Sequence, residues 1–129
     1  MPPFDDIPDA VQRLILEKLD SISQLEMLLL LHRDPERGWT ADQIGTELRI
    51  DPGWAAEQLA VLESRGLVAP LGEASSYHFR PGTPEAESAV KALATCYADR
   101  RVAIIALLYS RPIDRIRVLA DAFRVRRET

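Results

Sequence analysis

The tightest constraint on this chain lies in residues 40–68, TADQIGTELRIDPGWAAEQLAVLESRGLV. Thr40 and Gln43 stand in capping-box register, and Trp39 is placed to staple onto Ile44. Eleven residues after Thr40, Asp51 is a second N-cap, with Pro52 at the first helical position and Gly66 placed to end the helix. Two short helices around a tight turn, running into a strand, leave few folds open. Gly45 sits inside the first of these helices, where glycine costs about 1 kcal/mol against alanine. A close approach by the second helix near Ala55 accounts for it.

The same punctuation recurs on both sides. In IPDAVQRLILEKLD, Val11, Leu14, Ile15 and Leu19 form a helical stripe, with Pro8 in the first turn. In SISQLEMLLLLHRD, Ser23 and Glu26 are spaced as a capping box, and Ile22 and Met27 as its staple. LVAP and SSYHFR read as two short strands joined by a turn around Gly72. Tyr77 and Phe79 then point to one face, His78 and Arg80 to the other. Thr83-Pro84 opens a helix running to about residue 110, roughly 40 Å at 1.5 Å per residue. Arg111-Pro112 breaks it, and a last helix carries Ile113, Ile116, Leu119, Ala120 and Phe123 on one side.

Charge separates the chain into unlike parts. Residues 1–32 carry two bases and six acids, residues 33–80 five and eight, and residues 81–129 nine and six. Proteins that bind DNA draw much of their affinity from neutralised phosphates, so an acidic middle counts against that use. The acidic start, MPPFDDIPDA, has neither the basic nor the apolar region of a signal peptide. The longest apolar runs, at 27–31 and 102–109, are far short of the roughly 20 residues that span a bilayer. Cys96, the only cysteine, has no internal partner for a disulfide. A cytoplasmic protein without a membrane partner is expected.

Residues 22–81 resemble the winged helix-turn-helix superfamily. The resemblance rests on Ile44, Gly45 and Leu48, on Ile50 in the turn, on Ala55, Leu59 and Leu62, and on ESRGLV with its hairpin and Tyr77. The flanking helices look like the dimerising extensions of the MarR group, and no subgroup is identified. The fold implied is mostly α with a small β-hairpin wing and long flanking dimerisation helices. It divides into an N-terminal helix (1–21), a winged domain (22–81) and a C-terminal helical dimerisation region (82–129).

That resemblance implies a dimeric, DNA-binding regulator of transcription. The helix from Pro52 would enter the major groove with Gly53, Trp54, Ala56, Glu57, Gln58 and Val61 facing outward. Gln58 would pair with adenine and Glu57 with the cytosine amino group. Thr40, Arg49, Arg65 and Arg80 would hold phosphates of double-stranded DNA. The plainer reading makes Glu57 and Gln58 a solvated face and pairs Arg65 with Glu63 or another nearby acid. Trp54 either packs back on Ile50 or the wing, or anchors a protein partner. The wing tip, LGEASSY, has an acid and no base to grip a minor groove. The alternative function is therefore a winged-helix protein-interaction module.

From Val102 to Tyr109 the helix is apolar on all sides. One face can meet the chain's own core and the other calls for a second copy. Leu93, Tyr97, Ile104, Leu107, Leu108 and Phe123 are the expected dimer interface. The alternative is a sandwich within one chain, between the first and last helices. His32, His78 and Cys96 are scattered, with no metal-ligand spacing or nucleophile–base relation, and no phosphate loop exists. No enzyme and no cofactor is expected.

Overall fold

The computed structural model describes residues 6–72 and 75–110. In chain order it contains α1 (Asp9–Lys18), α2 (Ile22–Arg33), α3 (Ala41–Leu48), α4 (Pro52–Ser64), β1 (Val68–Pro70), β2 (Tyr77–Phe79), α5 (Pro84–Asp99) and α6 (Arg101–Tyr109). Helices α2–α4 and the hairpin form a head, while α1, α5 and α6 pack on one another as a terminal layer. One continuous apolar core joins the two parts. The last expected helix and Phe123 lie outside the described residues.

Most helix starts follow the local chemistry. Thr40 and Gln43 exchange both capping-box bonds, at 3.0 and 3.1 Å, over buried Trp39 and Ile44. Asp51 Oδ2 accepts from Trp54 N at 2.8 Å, and Thr83 Oγ1 from Ala86 N at 3.0 Å. At the end of α4, Gly66 takes φ +76° while its N–H donates to Glu63 O and that of Leu67 to Leu62 O. This is a Schellman ending.

The cap of α2 is a correction. It lies two residues earlier than its sequence suggests: Ser21 Oγ accepts from Gln24 N at 3.1 Å, and Gln24 Oε1 answers to Asp20 N at 2.8 Å. Ile22 is the first helical residue, not the residue before a cap. Glu26 is drawn away to Tyr97, whose phenol donates to Oε2 at 2.9 Å. The neighbour of Gly45 also differs from expectation. A Cβ there would stand 2.9 Å from Ile50 O and 3.1 Å from Pro52 Cγ, so the turn itself excludes a side chain, not Ala55. Arg49 occupies that turn at φ 59°, a left-handed conformation costing a non-glycine residue about 1 kcal/mol.

The wing is an antiparallel pair, Val68↔Phe79, Ala69↔His78 and Pro70↔Tyr77. Trp39 adds a one-residue bridge on the far side of β2, exchanging two 2.8 Å bonds with Tyr77. Buried Phe79 and half-buried Tyr77 turn toward the head as their alternation predicts.

The expected single helix over residues 84–110 is broken. Arg100 leaves helical geometry at φ −132°, ψ 46°, and a new helix begins at Arg101. No proline or glycine causes this. Arg100 is ion-paired to Asp6, and Arg101 lies 3.4 Å from Glu26. The break lets α6 fold against α1 and α5, burying Ile104, Leu107 and Leu108.

Candidate nucleic-acid interface

Helix α4 buries Ala55, Leu59 and Leu62, at the i, i+4, i+7 spacing of one helical face. Pro52, Gly53, Ala56, Glu57, Ala60, Glu63 and Ser64 are exposed. The outward face is slim and bare of long side chains except the two glutamates. With α3 and the turn it presents five exposed acids, Asp42, Glu47, Asp51, Glu57 and Glu63. The exposed base there is Arg49.

Two side chains expected on that face are held elsewhere. Gln58 is half-buried, and its Oε1 accepts from Gln24 Nε2 at 2.7 Å. It is engaged by α2. Arg65 forms an ion pair with Asp20 at 2.9 Å and donates to Lys18 O at 2.7 Å. The plainer expectation of a nearby acid is met by Asp20 rather than Glu63. Both side chains are thus engaged within the chain, Gln58 by Gln24, which is wholly buried in α2, and Arg65 chiefly by Lys18 and Asp20. A buried amide must be satisfied, so it fixes what surrounds it.

The remaining candidates are spread over the head. Thr40 uses its hydroxyl as the cap of α3. Beside it, a cleft of about 440 Å³ runs between α3, α4 and the wing, lined by Asp42, Ala56, Ser75 and Tyr77 among others. Burial, and then the Glu63 carboxylate it hydrogen-bonds, push the Tyr77 phenol above its ordinary range. Trp54 is half-buried against the core, with its backbone N–H on Asp51. Arg80 is exposed on another side and lines a cleft of about 480 Å³ with His32, His78 and Lys91. Thus Thr40 and Glu57 share the α3–α4 face with Arg49, whereas Gln58, Arg65 and Arg80 do not.

The expected dimer residues are largely packed within the chain. Leu93, Ile104, Leu107 and Leu108 are buried by the chain itself, and Tyr97 is half-buried on Glu26. Apolar surface left over on α6 belongs to Val102 and Tyr109, 81% and 70% exposed, with Ile105 and Ala106 beside them.

Sequence reasoning passed over Gln24, Lys18 and Asp20. Gln24 left a signal, since it shares a helical face with Leu28 and Leu31 where an apolar residue belongs. Lys18 and Asp20 left none. Reactive chemistry is poorly developed. Burial, assisted by Asp99, raises the Cys96 thiol away from thiolate, and burial lowers His32 against the opposing pull of Glu87. Among the described residues no three His, Cys, Asp or Glu side chains gather to hold a metal ion.

No family model and no curated protein matches this chain. Among solved structures it is similar to MepR, a transcription regulator of the Staphylococcus aureus multidrug efflux pump MepA. The likeness covers 92% of this chain and 89% of that one, at 15% identity and a TM-score of 0.51. At that identity the likeness speaks for architecture alone, and it agrees with the three-helix head, hairpin and terminal helices seen here. The chain has the winged helix-turn-helix fold, a three-helix head with a two-stranded wing and packed terminal helices.

Proposed function

We propose that this chain is a winged-helix regulator of transcription whose α3–α4 face works against a protein partner, and that it acts as a homodimer through α6. The charge of the face carries the first part. Five exposed acids and Arg49 would meet a duplex bearing one negative charge per ~1.7 Å of axis. Like charges suppress such an encounter, whereas a basic protein surface is steered toward it. Trp54 beside that face is of the residue type that anchors interfaces. The homodimer is supported by the apolar strip of Val102, Ala106 and Tyr109, exposed among the described residues, with Ile105 half-covered beside them.

A second reading, direct contact with duplex DNA, is favoured by the likeness over 92% of the chain to a solved transcription regulator. Under it Arg49 and the start of α3 at Thr40 hold phosphates, and Glu57 meets a cytosine amino group.

Selection from a randomised duplex library at low salt separates the two. With a protein partner, the wild type enriches no motif, and Glu57→Lys gains weak, salt-sensitive duplex binding. An enriched wild-type motif, with affinity dropping steeply as salt rises, would establish the DNA reader instead. Sedimentation equilibrium tests the dimer: Val102→Glu should be monomeric where the wild type is not.

A further inference from the structure

Helices α1 and α4 meet end to end, and both ends are C-terminal. Each leaves carbonyls without helical partners and carries the negative pole of its helix dipole. Two such ends brought together unaided repel. Here each receives a cation from the other. Lys18 Nζ donates to Arg65 O at 3.1 Å, and Arg65 Nη1 donates to Lys18 O at 2.7 Å. Asp20 balances the two cations, its Oδ2 lying 2.9 Å from Arg65 Nη2.

A second hold lies two turns back along α4. Gln24 donates to Gln58 at 2.7 Å while its own Oε1 accepts from Asp20 N at 2.8 Å and Arg65 Nη1 at 3.4 Å. Residues 18–24 therefore grip α4 at two points about 10 Å apart, at 1.5 Å of rise per residue. One point would fix a position. Two fix a direction. These bonds are directional and partly charge-assisted, so they tolerate little displacement before they break. At its other side α1 packs on α5 and α6.

We propose that this exchange of caps is a joint through which the terminal layer sets the tilt of α4. In it Lys18 carries the position of α1, Asp20 and Gln24 tie it to the start of α2, and Arg65 and Gln58 are positioning residues rather than contacts for a partner. A macromolecule or second copy that shifts α1 or α6 thereby changes how the outward face of α4 is presented. The joint is independent of whether that face meets protein or DNA.

Amide hydrogen exchange on the full-length chain tests it. Lys18→Met removes a cation that belongs to α1. It should speed exchange at the last turn of α4, residues 61–65, about tenfold. Amides of α3 and α5 should keep their rates. Arg65→Lys keeps the charge and loses the planar fork, so it should loosen both helix ends less than Arg65→Met does. A change of tilt must also reach the far end of α4, so the Trp54 indole resonance should move in Lys18→Met. Faster exchange confined to α1, equal acceleration in every helix, or an unmoved Trp54 resonance would each overturn the joint.

Discussion

The two ends of α4 are built to opposite specifications. Near its start, Gly53, Ala56 and Glu57 face solvent, with Asp51 as cap and little else near them. From its midpoint onward, Gln58 and Arg65 are drawn into hydrogen bonds with Lys18, Asp20 and Gln24. The same helix is thus displayed at one end and moored at the other. Polar residues on one short helix therefore cannot be given a shared role from their type. Glu57 and Gln58 are adjacent in the chain, yet one faces solvent and the other is hydrogen-bonded to α2.

A parallel contrast on α6 gives the largest test. Leu107 and Leu108 face the chain's own core, while Val102 and Tyr109 face outward. Leu107→Glu buries a charge without a partner and should cost upward of about 3 kcal/mol in urea unfolding. Val102→Glu should leave the unfolding midpoint of the monomer nearly unchanged. If Leu107→Glu keeps its stability and only changes oligomeric state, the assignment of the two faces is reversed.

On α4 the contrast sharpens by truncating each end. Gln24→Ala removes a hydrogen-bond partner of Gln58 and of the Asp20 N–H in a part-buried site and empties a buried position, and should cost about 1–3 kcal/mol. Glu57→Ala, on the displayed end, should fall within about 0.5 kcal/mol of wild type by the same measurement. Equal losses would mean that the two ends are not energetically distinct.

Arg49 offers a smaller effect of opposite sign. Glycine relieves its left-handed backbone, so Arg49→Gly should stabilise by about 1 kcal/mol. It also removes the exposed base from the face, so a protein with direct DNA binding would lose affinity while gaining stability.

The smallest effect is a pH dependence. His32 packs edge-on to Phe79 at 5.1 Å, and burial holds its pKa below the ordinary 6.5. A depressed histidine stabilises the fold above its unfolded pKa and loses that contribution as pH falls through 6.5 toward the folded value. Thermal unfolding between pH 7 and 5 should show this loss, and His32→Leu should flatten it.

Much of the head was legible before any coordinates. Thr40, Asp51 and Gly66 mark helix boundaries through bonds to residues two to four positions away, and such bonds are available to the chain locally. The hairpin was readable because Tyr77 and Phe79 alternate with His78. The candidate face was only half readable. Exposure of Ala56 and Glu57 follows from the helix period once Ala55, Leu59 and Leu62 are seen as apolar. That Gln58 turns inward depends on Gln24, 34 positions away, and no local pattern encodes that pairing. Arg65 depends likewise on Lys18 and Asp20, about 45 positions distant.

Where α3 and α4 start and stop, which face of each is apolar and how acidic the head is were settled by the order of residues. Caps, helical periodicity and formal charge act over a few bonds and survive any arrangement of the rest. The break at Arg100, the inward turn of Gln58 and Arg65, and the division of α6 into a covered and an uncovered face were decided by tertiary structure. Each depends on desolvating a side chain against one particular distant neighbour, and that neighbour exists only once the layers have packed.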